Sequence, residues 1–515
     1  MHDRGRALPS PRTVAAAGLC LLLLASLWMP IDHDEGQYIA ATRLVAEGWR
    51  PILDFPYLQT PLQPWLLAPL QWIAPGWLLI ASRLANALFV AGAAWLTGRT
   101  AERLSGRASV GGLAALLLLL CDSVQFAGTV ARNDALPLFL LALGLERLWV
   151  EAPSRPRLFV AGLALAAAAS TKISYALPAA AVAAVEAWRA FRHQRVGAVS
   201  LFAGLIVGAL PTFLTLALSP TKAWFDMVTY SVDGVRAFQT LNGSLDQLGV
   251  VQRSLRFLKF AALGPVLVLL GIAAWRARVA GARSSQVDAG AGLVLLAALV
   301  AAILPMPAYR QYLVPLVVPL LLYLAARGGL VVLLGLRRTH FTFLIVLFAL
   351  AGTARTITDL VKARPGERPI HSTADAHRIG DLARKAGMTT IASLDSVRAT
   401  DTGLAIDPRL APGPFLFRAG NLVACRDRSL CPVTFANIAQ SPLSPRSAVL
   451  TGSETKPIGP LARGLDGPVE AWAEAQGLAP IRVGAMNLWL PVSPQAPEED
   501  GIPRVATLGR SVRPD

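Results

Sequence analysis

Ile31-Asp-His-Asp-Glu-Gly36 places three carboxylates, Asp32, Asp34 and Glu35, directly after the first long apolar run of the chain. That run, 14–31, is long enough to cross a bilayer at about 1.5 Å per residue. The acids therefore stand where the chain leaves the membrane. Carboxylates at that depth are costly unless they face water, a cation or a reacting group. The stretch thus points to an integral membrane protein and to chemistry on a substrate carried by lipid.

Working outward, 54% of the 515 residues are hydrophobic and 16% are charged. The mean hydropathy is +0.50. The chain reads as a multi-pass α-helical membrane protein of about eleven transmembrane helices. They lie near 13–31, 77–97, 109–128, 134–150, 157–171, 174–190, 196–219, 257–276, 290–305, 311–326 and 340–358. The fifth and sixth nearly merge, broken at Ser170-Thr-Lys-Ile-Ser174, and a short helix fills 329–336. No internal repeat is evident.

A net charge of +16 would suggest nucleic acid as partner of a soluble protein. Here the arginines fall in groups between apolar runs: Arg4, Arg6 and Arg12; Arg99, Arg103 and Arg107; Arg147, Arg155 and Arg157; Arg189, Arg192 and Arg195; Arg276, Arg278 and Arg283; Arg327, Arg337 and Arg338. They mark every second membrane exit, as the positive-inside rule requires of cytoplasmic loops, with anionic headgroups rather than nucleic acid as their partner. The N-terminus is then cytoplasmic and the Asp34 loop is on the opposite face. The first run lacks a small-residue cleavage site and reads as a span, not a cleaved signal.

Two outer loops are long, 32–76 and 220–256. In the first, Glu35–Ala46 has helical periodicity, with Tyr38 and its neighbours forming an apolar face suited to the interface. The Leu-, Trp- and Pro-rich 61–73 and the second loop, with Trp224, Tyr230 and Phe238, are expected on the membrane surface. Past 360 no run of spanning length remains. Residues 361–495 read as a soluble α/β or α+β domain, with a helix at 374–385 and strands at 388–394, 447–450 and 481–490. Residues 496–515 read as a disordered tail. Cys20 and Cys121 lie in apolar runs as small hydrophobes. Cys425 and Cys431 flank a polar loop and form an oxidised pair if that domain is outside the cytoplasm.

The polar residues assigned to the outer side are the Asp32/Asp34/Glu35 cluster, Arg132-Asn-Asp134, Lys172, Arg236 and Tyr309-Arg310. They suit displacement at a sugar's anomeric carbon. An acceptor hydroxyl needs a positioned carboxylate to take its proton, and a departing lipid phosphate needs cations to meet its growing charge. Asp34 is the expected base. Asp134 orients the acceptor or, with Asp34, holds a divalent cation such as Mg²⁺ or Mn²⁺. Lys172, Arg236 and Arg310 meet the phosphate. Each residue also admits a purely structural role. Asp34 and Glu35 can cap the Glu35–Ala46 helix and Asp134 the fourth span. Lys172 can snorkel. Arg132, Arg236, Tyr309 and Arg310 can anchor at the interface. His33 reads as a surface histidine.

These motifs, in this order, resemble the GT-C membrane glycosyltransferases of the protein O-mannosyltransferase and aminoarabinose-transferase superfamily. Asp34-Glu35-Gly-Gln-Tyr38 is similar to the family's first-loop acidic motif. Pro56-Tyr57 through Thr60-Pro61-Leu62 and Trp65 is similar to its Pro-Pro-Leu segment. Arg132-Asn-Asp134-Ala-Leu-Pro resembles the second acidic motif, Ser170-Thr-Lys172 the Leu-Thr-Lys segment, and Tyr309-Arg310-Gln-Tyr312-Leu-Val-Pro315 the late Tyr-rich segment. The resemblance covers 13–360. It implies an inverting enzyme that moves a sugar from a polyprenyl-phosphate donor to a lipid, glycan or protein acceptor at the outer face of a bacterial inner membrane. Asp34 and Asp134 would be its catalytic pair, with Glu35 beside them. Lys172, Arg236, Tyr309 and Arg310 would meet the donor phosphate, and Tyr38, Tyr57, Thr60 and Arg132 would line the substrate loop. One departure stands out: several relatives carry Lys before the Pro-Pro-Leu segment, where this chain has Gln59-Thr60. Two other readings are a lipid or polyisoprenoid-glycan transporter, which would favour inverted repeats and midspan charges, and a non-catalytic envelope assembly protein.

Overall fold

The computed structural model describes residues 9–150, 153–193, 197–279, 286–335, 340–422 and 432–492. Cys425 and Cys431, the tail 496–515, and Arg4, Arg6, Arg195, Arg283, Arg337 and Arg338 lie outside the described residues. Helix α1, Pro11–Trp28, opens on a Ser10 cap whose hydroxyl accepts from the Thr13 amide at 3.2 Å, with Pro11 in the first turn. It leads through the acidic stretch into α2, Glu35–Ala46. A helical bundle follows, and beyond it a five-stranded mixed sheet.

The chain is a multi-pass membrane protein. Among the described residues four helices are long and apolar enough to cross a bilayer: Pro11–Trp28, Leu78–Ser105, Ala198–Leu218 and Phe343–Lys362. The number rises to seven if three bent pairs each count once. Runs 109–128, 257–276 and 311–326, expected as single spans, belong to these pairs, whose halves meet at 70°, 97° and 74°. Other expected spans fall short of the length. Ala135–Leu148 has 14 residues and Arg155–Thr171 has 17, while Ala176–His193 carries Glu186, Arg189 and Arg192. An apolar run in sequence does not reveal how many of its residues a turn consumes. The break at 170–174 is a short 3-10 turn, Ile173–Tyr175, and a helix occupies Gly329–Gly335.

Small residues let the bundle close. A Cβ on Gly162 would lie 2.0 Å from the Leu201 carbonyl oxygen, and one on Gly204 would lie 2.0 Å from that of Phe159. Backbone-to-backbone approach of this kind is how helices associate in lipid, where apolar burial between them gains little.

The C-terminal sheet has the order β2-β1-β3-β5-β4, with β1 Thr390–Ser393, β2 Ala405–Ile406, β3 Ser447–Thr451, β4 Leu478–Val483 and β5 Met486–Pro491. Strand β1 runs parallel to β2 and β3, and β5 is antiparallel to β3 and β4. The run 481–490, expected as one strand, is a hairpin pairing Val483 with Met486. Its two-residue turn begins at Gly484, whose φ of +59° suits a tight hairpin turn and is strained for other residues. Trp472 fills the core under the sheet and donates from Nε1 to the Ser441 carbonyl at 2.8 Å.

The 32–76 loop, expected on the membrane surface, packs on the C-terminal domain. Helix α2 is buried along Glu35–Val45, and Tyr38, Ala41 and Leu44 share a core with Ile379, Ile391, Ile406, Leu450 and Leu488 of the C-terminal domain. Arg43 donates to the carbonyls of Thr400 at 2.6 Å and Leu404 at 3.1 Å. The expected interfacial face is instead a domain face, because the C-terminal domain offers it apolar partners. Trp72 and Ile73 of the 61–73 segment remain exposed.

Asp401 ties this domain to the start of the Leu78–Ser105 helix, accepting from the Leu78 amide at 3.0 Å and the Thr373 hydroxyl at 3.0 Å. Burial pushes its carboxyl up to about 6. The folded chain therefore holds that proton more tightly than the unfolded one. The resulting stabilisation is complete below about pH 4 and is lost as pH rises through about 6. Asp401→Asn keeps an acceptor and removes the titration. Thermal unfolding across that window should show the parent losing on the order of 2–3 kcal/mol relative to the variant; parallel curves would contradict this.

Candidate active site

Asp34 and Asp134 each occupy the residue before a helix, yet neither side chain caps it. Both turn to the same guanidinium. Arg132 Nη1 reaches Asp32 Oδ1 at 2.6 Å and also bonds Asp34 Oδ2, while Nε reaches Asp134 Oδ2 at 3.2 Å. Lys172, where the Arg155–Thr171 helix ends, bonds the other oxygen of Asp134. A carboxylate that forgoes a cap worth about 1 kcal/mol and joins a cation cluster is held for position.

The backbone carrying Arg132 is fixed from three sides. Asn86 Nδ2 donates to the carbonyls of Val130 at 2.6 Å and Arg132 at 2.9 Å, and Asn133 Nδ2 donates to Gln59 Oε1 at 3.0 Å. Glu35 supports the turn from below. It is fully buried and takes a two-pronged ion pair from Arg83, Nε at 2.7 Å and Nη2 at 2.6 Å, with further bonds from the Asp32 and Ala131 amides. Arg83 spends its remaining N–H groups on the carbonyls of Ser26, Met29 and Pro30.

Above this layer a cavity of about 850 Å³ opens between bundle and C-terminal domain. Asp34, Asp32, His33, Tyr38, Arg132 and Lys172 line it, as do Tyr309 and Arg310. Arg310 lies over the Phe126 ring at 3.6 Å and between Asp122 and Asp359, each at 3.4 Å. Several expected site residues are elsewhere. Glu35 is walled off in its pair with Arg83, and Asp134 is buried behind the two cations that its carboxylate bridges. Tyr57 and Thr60 are buried behind Leu58 and Gln59, which form the cavity wall. Arg236 is largely exposed, 3.9 Å from Asp233, and does not line the cavity. Its position on the amphipathic Val235–Leu241 turn, where Phe238 faces inward, could not be read from composition.

His33 is not a free surface histidine. Its Nε2 meets Glu454 of the C-terminal domain at 3.1 Å, and its ring stands edge-on to Phe415 at 4.9 Å. Burial would lower its pKa, but Asp34 and Glu454 push it up to about 9, so the ring is charged at neutral pH. Burial alone would raise the Asp34 carboxyl; Arg132, and after it His33, hold it well below the usual carboxylate range. Among the described residues no group of three His, Cys, Asp or Glu is placed to hold a metal ion. A cation bridging Asp34 and Asp134 would have to displace Arg132. Three cavity residues escaped sequence reading: Asp32 as a partner of Arg132, Arg355, and Arg418. Arg418 sits in a domain with no recognisable motif and gave no signal.

The Glu35–Arg83 pair makes a stability prediction. Glu35→Gln leaves a buried guanidinium without its counter-charge, at a cost of about 3–5 kcal/mol. Thermal unfolding in detergent should show a large loss, and replacing both residues with apolar ones should recover part of it. A Glu35→Gln protein as stable as the parent would contradict the assignment.

No protein-family model matches the sequence, and no curated protein matches it. Among solved structures, ArnT from Cupriavidus metallidurans bound to undecaprenyl phosphate aligns with a TM-score of 0.57 at 14% identity, over 95% of this chain and 99% of that one. The same protein in the apo state aligns at 0.55 and 15%, over 94% and 99%. At such identity the likeness is one of fold, and it extends across bundle and C-terminal domain alike. The chain therefore has the GT-C membrane glycosyltransferase fold that its motifs resemble.

Proposed function

We propose that this protein transfers a sugar from a polyprenyl-phosphate-linked donor to a hydroxyl of a lipid, glycan or protein acceptor. The observation that carries the reading is Asp34: an uncapping carboxylate on the wall of a large cavity, held beside Arg132 and Lys172. The ArnT structure with undecaprenyl phosphate supports a lipid phosphate as the donor's leaving group.

In the proposed step the acceptor oxygen bonds to the anomeric carbon and its proton passes to Asp34. The carbon–oxygen bond to phosphate breaks, and the polyprenyl phosphate departs with the electron pair. One base and one displacement invert the anomeric configuration. Asp34 paired with Arg132 is a weak base. A phosphate arriving beside Arg132 and Lys172 draws their positive charge toward itself and strengthens Asp34 as the reaction begins. Asp134 acts by positioning these cations, Lys172 and Arg310 meet the phosphate, and Tyr309 borders it. This scheme needs no Mg²⁺ or Mn²⁺ at Asp34 and Asp134, because Arg132 already occupies the space between them. Full activity after chelation would agree with it; loss of activity restored by either ion would assign those acids to a metal.

The arginine-rich loops support a cytoplasmic N-terminus and a cavity and C-terminal domain on the outer side of a bacterial inner membrane. The shorter bundle helices would complete a set of about eleven membrane segments. A transporter reading is disfavoured because the cavity's charges form one cluster, and other buried pairs, Arg103 with Glu146 and Arg189 with Glu186, do not line it.

Asp34→Asn removes the base and keeps the shape. With a polyprenyl-phosphate sugar and candidate acceptors, its turnover should fall about 100- to 10,000-fold while the protein stays folded, because Arg132 keeps Asp32 and Asp134 as partners. Transfer at the parent rate would overturn the proposal.

A further inference from the structure

Besides the charged His33, five lysine and arginine side chains line the cavity, and four of them have carboxylate partners. Arg132 has Asp32, Asp34 and Asp134; Lys172 has Asp134; Arg310 has Asp122 and Asp359; Arg355 has Asp122 at 3.8 Å. The fifth, Arg418, has none among the described residues. It projects from the C-terminal domain, next to the short Pro414–Phe417 helix. Its guanidinium lies over Phe238 at 3.9 Å and Phe415 at 4.7 Å. Phe238 belongs to the second outer loop and Phe415 to the C-terminal domain, so two separate segments hold one cation.

The placement suits a ligand, not a structural pair. Aromatic faces fix a guanidinium without using its edge; one part of that edge hydrogen-bonds the Tyr230 hydroxyl. Its Nε is buried without a hydrogen-bond partner. The charge acts on the hydroxyls of Tyr230 and Tyr309, both on the cavity wall. His33, the neighbour of Asp34, packs on the Phe415 ring that also supports Arg418. Arg418 and the proposed base thus share one wall. The segment packed beside it, Phe225–Gly234, is a π-helix, a form that recurs at functional sites. A partly buried charge without a counter-ion is costly until an anion arrives.

We infer that Arg418 binds the phosphate of the polyprenyl donor, so that the C-terminal domain supplies part of the donor site. This rests on the glycosyltransferase reading above. The alternative source of an anion is a charged acceptor, and the experiment separates the two.

Undecaprenyl phosphate and undecaprenol, which share a tail and differ in the phosphate, would be titrated in detergent against the full-length parent, Arg418→Gln, Arg418→Lys and Arg482→Gln. Arg482 lies exposed on β4, away from the cavity. Expected is a loss of about 10- to 100-fold for undecaprenyl phosphate in Arg418→Gln, with partial recovery in Arg418→Lys and parental binding in Arg482→Gln. Undecaprenol should bind all four alike, which also reports that the variants are folded. If Arg418→Gln binds undecaprenyl phosphate as the parent does, the inference is overturned, and a raised acceptor KM alongside would move Arg418 to the acceptor. If the parent itself fails to distinguish the two lipids, the donor reading fails, whatever Arg418 does.

Discussion

The site rests on the ion pair between Glu35 and Arg83. Both groups are almost fully shielded from solvent. Their charges are tolerable only because every available polar atom is used: Glu35 takes two bonds from Arg83 and two from backbone amides, and Arg83 reaches three further carbonyls. A buried pair of this kind contributes little net stability but penalises every arrangement that separates it. It joins the end of α1, the start of α2, the Leu78–Ser105 helix and the turn before Arg132. Those four segments present Asp34 to the cavity.

On that base the electrostatics are arranged in tiers. Below, Glu35 and Arg83 cancel. At the cavity floor, Asp32, Asp34 and Asp134 surround Arg132, with Lys172 at the edge. At the far wall, Arg310 and Arg355 share Asp122. Such a surface suits the phosphate proposed above, which would compete with the acids for cations already held in place without a large rearrangement. The same pairing keeps Asp34 charged and weakly basic until that happens.

The second organising feature is the union of the 32–76 loop with the C-terminal domain. Helix α2 belongs to the domain's core as much as to the membrane part. The domain in turn supplies Glu454 to His33, and Phe415 and Arg418 to the cavity. It is a wall of the site and not an appendage tethered beyond it.

Local chemistry made much of this legible from sequence. Apolar runs of spanning length identify a membrane protein because water must be excluded from the bilayer core. An acidic pair behind the first run, Arg132-Asn-Asp134 before a helix and Lys172 at a break in an apolar stretch stand out because charge there is expensive. What tertiary structure alone decided is which of these charges meet. Glu35 and Asp34 are adjacent in sequence, yet one faces Arg83 in the interior and the other faces the cavity, because α2 turns its two sides to different neighbours. Asp134 reads as a second catalytic acid from its place in the sequence, and only the fold shows that its two oxygens lie on two cations. Arg418, almost two hundred residues from its aromatic partner's loop start, has nothing local to mark it. Sequence carries the cost of placing each charge; only the folded chain carries the distances over which those costs are repaid.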